Sequence, residues 1–152
     1  VLGSRGLGDV YKRQVESYMR RISGPLLDRI DMHIEVPSVE YEAMRRKEKP
    51  ETSAQVRARV NAARELQKQR FSGTGVSCNA YMTPAMIGQY CLLDPAGERL
   101  MKGAFDRLGL TGRSHDRILR MARTIADLDA SPDIQAAHLA EAIQYRSSTL
   151  LK

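Results

Sequence analysis

The chain has 152 residues, a formal net charge of +6, 42% hydrophobic residues and 28% charged residues. This length and apolar content suit one soluble domain, or a small domain with part of a neighbour, and exclude a disordered chain. Because aromatic residues make up only 5% and tryptophan is absent, the core must be aliphatic, as in packed helices. The positive charge favours anionic partners such as nucleic acid or nucleotide phosphates.

The cysteine and histidine content indicates no metal site. Cys78 and Cys91 are the two cysteines, and with three scattered histidines no spacing resembles a zinc site. Reduced thiols in an intracellular protein are therefore expected. No apolar run reaches the length of a membrane span and no charged-then-apolar pattern typical of a signal peptide is found in the sequence, so we predict a cytoplasmic protein without a membrane partner.

Residues 1–14, VLGSRGLGDVYKRQ, have no helical or strand period. They resemble translated sequencing-adapter read-through, and we predict that they are a non-native leader. A native flexible leader is the alternative. If the leader is foreign, the chain is expected to be a C-terminal fragment of a longer protein.

Residues 15–37 contain one predicted β-strand. From Asp31 to Pro37 apolar and polar side chains alternate, and Pro37 closes the run because it cannot donate to a sheet. The apolar face of this strand is predicted to comprise Met32, Ile34 and Val36. One strand has no sheet of its own, so we predict that it is the last strand of a truncated core.

Residues 38–52 are charged and irregular and are predicted to be a linker to a helical domain at 53–150. Thr52 or Ser53 is the predicted cap of a first helix that runs to about Phe71. Its apolar stripe is predicted to be Val56, Val60, Ala63 and Leu66. Its basic flank is a candidate DNA contact surface, although a solvated flank is the commoner explanation; the cations are Arg57, Arg64 and Lys68.

Three further helices are indicated, two of them by their caps. Thr83-Pro84 and Asp94-Pro95 are typical helix starts, because each pairs an N-cap residue with proline at the first helical position. The second of these helices is predicted to end at Gly109. A last helix is predicted from Asp133 through Tyr145. The sequence thus predicts a mainly α fold, a bundle of four or five helices preceded by one strand.

The central stretch is TGRSHDRILRMARTIADL, which begins at Thr111 and ends at Leu128. At about 100° per residue its apolar side chains share one face, with Arg113, Arg117 and Arg120 on the other. The apolar face is predicted to comprise Ile118, Leu119, Ala122, Ile125 and Ala126. The arginines are either solvated charges or contacts for an anion, since three like charges on one line repel each other.

The segment SGPLLDRIDMHIEV resembles the motif before the last core strand in the magnesium-chelatase and replicative-helicase branch of AAA+ ATPases. That resemblance implies that Arg29 is an arginine finger, which reaches the ATP site of a neighbouring subunit. The alternative is that Arg29 pairs with Asp28 or Asp31 to brace the loop.

Three other phrases, QVRARVNAARELQKQR, TGRSHDRILRMARTIADL and IQAAHLAEAIQYR, resemble the C-terminal domain of the ComM/YifB family of magnesium-chelatase-like AAA+ ATPases. The resemblance implies an AAA+ helical lid in a homo-oligomeric ring, expected to be a hexamer, that uses ATP and Mg²⁺ to remodel DNA as a branch-migration helicase in recombination or natural transformation. It also implies that Arg113 is the sensor 2 arginine at the nucleotide phosphates, that Arg117 supports it, and that Arg120 is a further candidate DNA contact.

No Walker A lysine motif or acidic Walker B strand is present in the sequence. The fragment alone is therefore predicted to bind no cofactor and to be inactive. Enzymatic activity is expected only when it is part of the full-length ATPase. Two alternatives stay open. One is the ATPase subunit of a true magnesium chelatase, and the other is a stand-alone basic helical DNA-binding module.

Overall fold

The described part of the chain is mainly helical, which confirms the predicted fold class. A computed structural model describes residues 29–34 and 50–146, together with positions 17, 26 and 36. Within these residues, short connections join the helices in chain order. The elements are α1 Ser53–Arg70, a 3₁₀ turn Asn79–Tyr81, α2 Pro84–Tyr90, α3 Pro95–Leu108, α4 Gly112–Leu128 and α5 Ala136–Gln144.

The structure covers only part of the domain boundaries predicted from the sequence. The leader at 1–14, the linker residues 38–49 and the tail after Arg146 lie outside the described residues, and so does most of 15–37. These boundaries stay predictions. In the described ranges, no helix is both long and apolar enough to cross a membrane.

Side-chain caps begin the first four helices where the sequence predicts them. Thr52 forms a capping box with Gln55: its hydroxyl accepts from the Gln55 amide at 3.3 Å, and the Gln55 side chain accepts from the Thr52 amide at 2.8 Å. The other three caps accept from an amide three residues later. They are Thr83, Asp94 and Thr111.

The helix ends follow the same local rules. Gly109 ends α3 in the left-handed conformation, with φ of 60°, where a glycine is favoured. The last helix begins at Ala136 rather than at Asp133 as predicted. Its start is delayed because Ile134 forms an isolated parallel bridge with Leu93, which keeps the preceding backbone extended.

The core lies around α4, which packs against α1, α2 and α5. Ile118, Ala122 and Ala126 on α4 are fully buried, as predicted from the helical period. Phe71 adds an aromatic ring, which meets Tyr90 edge-on at 5.6 Å between ring centroids. The other buried members are Met82, Ile87, Cys91, Met101, Leu119, Ile134, Leu139 and Ala142.

The predicted apolar stripe of α1 is wrong for most of its length. Only Ala63 and Gln67 are buried on this helix, and every residue from 53 to 62 is exposed. The contact with α4 and the 3₁₀ turn comes from the C-terminal half of α1, so the first half extends past the bundle. As a result, Val56, Val60 and Leu66 are each 37–39% exposed.

The predicted strand from Asp31 to Pro37 is not formed in its described residues. No second strand pairs with it there, and the amide of His33 donates instead to the carbonyl of Tyr145 at 2.8 Å. The expected pattern of burial is reversed: Ile34 and Val36 are 63% and 83% exposed, whereas His33 is 8% exposed. The described residues of this segment therefore pack as irregular backbone against the end of α5.

The two free cysteines should differ in reactivity. Burial raises the pKa of the Cys91 thiol to about 11, whereas Cys78 is half-buried. Since the thiolate is the reactive species, iodoacetamide at mildly alkaline pH should modify Cys78 in the folded chain and leave Cys91 intact. Mass spectrometry should find both thiols modified in denaturant. Equal labelling rates in the folded chain would contradict the buried position of Cys91.

Candidate functional site

The N-terminal end of α4 carries the residue predicted to contact nucleotide phosphates. Thr111 caps the helix through the Ser114 amide, at 3.2 Å, and Arg113 lies exposed in the first turn between them. The helix dipole is positive at this end, so an anion beside Arg113 gains from both the dipole and the guanidinium. This end of α4 is therefore chemically suited to phosphate.

The segment that carries Arg29 lies against the same helix. Arg29 is helical and exposed. Two residues on, the Asp31 carboxylate pairs with the Nε of Arg117 at 3.1 Å. Since Arg117 is one turn beyond Arg113 on α4, the structure brings the predicted finger segment and the predicted sensor helix into contact within one chain. Arg117 is half-buried in this ion pair, rather than simply solvated as in one interpretation of the sequence.

Arg120 lies in a different environment from Arg113. Its guanidinium is half-buried and donates to the carbonyl oxygen of Met82 at 2.8 Å, at the start of α2. Of the three arginines predicted to lie on the solvent side of α4, only Arg113 is thus exposed. Arg120 contributes to the packing of α2 on α4, and part of its donor capacity is used there.

The solvent-exposed side of α1 presents a basic face. Arg57, Arg64 and Lys68 are all exposed, and their spacing of seven and four residues places them on one side of the helix. Lys68 also pairs with Glu65 at 3.2 Å, with both side chains largely in solvent. Such a surface pair contributes little to stability, so it leaves the cation available to a stronger anionic partner.

A buried ionic cluster was missed by the sequence analysis. The Asp127 carboxylate, with no exposed side-chain surface, accepts from Arg70 on α1 and from Arg123 one turn earlier on α4. Asn79 donates to the same carboxylate at 2.8 Å. We define Arg70, Asn79, Arg123 and Asp127 as the Asp127 cluster. It ties the C-terminal end of α1 to α4.

The charge state of this cluster follows from its contacts. Burial alone would raise the pKa of the Asp127 carboxyl, but the hydrogen bonds from Arg70 and Asn79, with the charges of Arg70 and Arg123, lower that pKa overall. Asp127 is therefore ionised throughout the neutral range. Arg123, 2% exposed, also donates to the carbonyls of Ser131 and Pro132 at 2.6 and 2.8 Å. The Asp127 cluster is thus satisfied internally and acts as a structural brace.

The donor set at the start of α4 determines what it can hold. Among the described residues, no group of three His, Cys, Asp or Glu side chains could ligate a metal ion. Arg29 and Arg113 offer permanently charged guanidiniums, which pair with phosphate oxygens through two parallel hydrogen bonds. Each of these guanidiniums is therefore chemically suited to the phosphates of ATP.

Comparison with known proteins supports an AAA+-type ATPase family for this chain. The chain belongs to the magnesium chelatase ChlI family, whose C-terminal domain, described as "Magnesium chelatase, subunit ChlI C-terminal", matches residues 50–146. A second family, "Magnesium chelatase, subunit ChlI", matches residues 5–44. That match begins inside residues 1–14, whose non-native origin stays a prediction.

Several curated bacterial proteins are similar to the chain. Competence protein ComM of Haemophilus influenzae is 39% identical over 140 residues, which are 91% of this chain and 27% of ComM. The uncharacterized protein YifB of Escherichia coli is 39% identical over 135 residues, 88% of this chain and 26% of YifB. An uncharacterized Mycobacterium tuberculosis protein is 32% identical over 131 residues, 86% of this chain and 26% of the relative. The chain thus spans about a quarter of the length of these relatives.

Proposed function

We propose that this chain is the helical lid part of a ring-forming AAA+ ATPase that couples ATP hydrolysis to DNA remodelling. The observation that carries the proposal is that Arg113 is exposed in the first turn of α4, the helix against which the segment bearing Arg29 docks through the ion pair of Asp31 with Arg117. Membership of the magnesium chelatase ChlI family supports the ATPase part. The name of the relative ComM, a competence protein, agrees with a role on DNA.

Each arginine has a separate task in this proposal. Arg113 contacts the phosphates of the nucleotide bound by its own subunit. Arg117, one turn further along α4, supports Arg113. Arg29 reaches the nucleotide of the neighbouring subunit in a homo-oligomeric ring. Mg²⁺-ATP supplies the γ-phosphoryl group that is transferred to water. The fixed positive charge of the two guanidiniums stabilises the negative charge that spreads over the phosphoryl oxygens.

We assign the contact with DNA to the basic face of α1. Arg57, Arg64 and Lys68 are exposed on one side of the helix, and Arg57 lies in the half that extends past the bundle, so this face is open to a phosphate backbone. Such contacts release counterions, so affinity falls as salt rises, with a slope of about 0.9 per phosphate neutralised. Arg120 is the weaker candidate, because Met82 already accepts one of its hydrogen bonds.

Charge reversal on α1 tests this assignment in the complete ATPase. Arg57→Glu, Arg64→Glu and Lys68→Glu together should leave ATP turnover without DNA unchanged and abolish its stimulation by branched or single-stranded DNA. The slope of log affinity against log salt should become shallower by about 0.9 for each DNA phosphate that the variant no longer neutralises. The measurements are ATPase assays and DNA-binding titrations across a salt series.

A matched triple variant on α3 controls for net charge. Arg99, Lys102 and Arg107 are exposed cations on a helix that we do not assign to DNA, and their reversal changes the charge by the same amount. If both triple variants lose stimulation equally, the α1 assignment is wrong. If no DNA stimulates the parental ATPase but a porphyrin-binding partner subunit does, the magnesium chelatase alternative is correct.

A further inference from the structure

Arg146, just after α5, joins two parts of the chain that are 84 residues apart in sequence, at Ile30 and Ser114. It is 4% exposed, and its guanidinium donates to the carbonyl oxygen of Ile30 at 2.6 Å and to the hydroxyl of Ser114 at 3.1 Å. Ile30 directly follows Arg29, and Ser114 directly follows Arg113. One buried side chain therefore contacts the neighbours of both arginines to which we assign phosphates.

Two further contacts hold the same segment in place. The amide of His33 donates to the Tyr145 carbonyl at 2.8 Å, and Asp31 pairs with Arg117 at 3.1 Å. These contacts reach the end of α5 and the second turn of α4. The segment 30–33 is thus fixed to both helices, and Arg146 lies at the point where they meet.

The buried position of Arg146 makes this connection stiff. A guanidinium that is out of water must keep its hydrogen bonds, because an unmade bond to a buried charge is costly. Any movement of the start of α4 relative to Ile30 would stretch or break one of the two bonds. A shift of α4 should therefore carry the Arg29 segment with it, instead of leaving the segment behind.

We propose that Arg146 is a positioning residue that couples Arg113 to Arg29. Through it, the nucleotide state at a subunit's own site alters the position of Arg29 at the nucleotide site of the next subunit. The inference rests on the proposed function, since it takes Arg113 to contact a subunit's own nucleotide and Arg29 that of its neighbour. Arg146 itself touches neither nucleotide. Its effect is on communication between successive sites of the ring.

The test uses Arg146→Gln in the complete ring ATPase. Binding of a non-hydrolysable ATP analogue should change less than about threefold, because the direct phosphate contacts remain. The kcat should fall by roughly ten- to a hundredfold, as expected when a reacting group is misplaced. Cooperativity of ATP hydrolysis should disappear, with the Hill coefficient falling to about 1. Arg146→Lys, which keeps a donor for one of the two oxygens, should recover part of both losses.

Ser114→Ala provides a milder variant that decides the matter if Arg146→Gln does not fold. It removes the hydroxyl that accepts from Arg146 and that also lies 3.2 Å from the Thr111 hydroxyl, and it should lower the Hill coefficient in the same direction. Arg59→Gln is the matched control, because Arg59 forms a remote surface ion pair with Glu51 at 2.7 Å. Folded rings of Arg146→Gln or Ser114→Ala with parental kcat and Hill coefficient would overturn the coupling.

Two reference variants separate this failure from failure of the proposed function. Arg29→Ala and Arg113→Ala are measured in the same assays. If neither lowers ATP turnover, the two arginines do not contact nucleotide and the proposed function is wrong. If both lower turnover while the Arg146 and Ser114 variants behave as the parent, the site assignment stands and the coupling alone is wrong.

Discussion

Replacing Arg29 by alanine in the complete ATPase is expected to reduce ATP turnover by about three orders of magnitude, since an arginine finger supplies at least that factor in phosphoryl transfer. The finger acts on the transition state, so ATP binding should change little. Because Arg29 is exposed, the variant should fold and assemble as the parent does. Steady-state ATPase kinetics, with gel filtration for assembly, provide the measurement.

Arg113→Ala should give a different kinetic pattern. The guanidinium is assigned to the phosphates in the ground state as well as in the transition state, so its loss should weaken ATP binding by roughly ten- to a hundredfold and also remove most turnover. Arg107→Ala, at an exposed arginine on α3, is the matched control. Parental turnover in both Arg29→Ala and Arg113→Ala would reject the assignment of these residues.

Asp127→Ala is expected to have the largest effect on stability, lowering the free energy of unfolding by about 3–5 kcal/mol. The substitution leaves two buried or half-buried guanidiniums, of Arg70 and Arg123, without their shared carboxylate. It also removes the acceptor for Asn79. Urea unfolding of the chain, followed by circular dichroism, measures the change.

The pH dependence of this contribution has a defined sign. The pKa of Asp127 is lower in the folded chain than its ordinary value. Its stabilising contribution is therefore complete above the ordinary aspartate pKa and is lost as pH falls through the lower, folded-state pKa. Asp127→Asn should remove this acid-dependent part, whereas Asp106→Ala, at an exposed carboxylate on α3, should retain it. Identical acid unfolding of the parent and Asp127→Asn would contradict the charged state of Asp127.

Helix positions could be predicted because their signals are local. Thr83-Pro84, Asp94-Pro95 and Gly109 act on amides or dihedral angles within a few residues of themselves, and the structure uses each as expected. The predicted strand does not form in its described residues, because alternation records only a preference for a pleated surface. A partner strand is also required, and the described residues at 29–34 contact helix ends instead.

The Asp127 cluster left a signal in the sequence that could have been used. Arg123 and Asp127 are four residues apart on α4 and follow Leu119 at the same spacing, so both charges lie on the apolar side of the helix. Charges in that position need a buried partner. The identity of that partner, Arg70, depends on a tertiary contact over 57 residues, which the periodicity of one helix cannot provide.

The role of Arg146 had no local signal at all. It follows the last helix, where a basic residue is ordinary, and its hydrogen-bond acceptor at Ile30 is 116 residues away. The exposed arginines, in contrast, were identified through the family resemblance, which recognises short motifs around Arg29 and Arg113. Motifs thus indicate the residues assigned to phosphate, while the contacts that connect them require the folded chain.

Mixing Arg29→Ala subunits with Arg113→Ala subunits tests most directly whether Arg113 acts at a subunit's own site and Arg29 at the next. Neither variant alone can form an intact site. In mixed rings, however, an Arg29→Ala subunit keeps its Arg113 and can receive Arg29 from an Arg113→Ala neighbour. An equal mixture that exchanges subunits should therefore regain roughly a quarter of the parental ATP turnover. No recovery at any mixing ratio, in rings shown to contain both variants, would contradict the assignment.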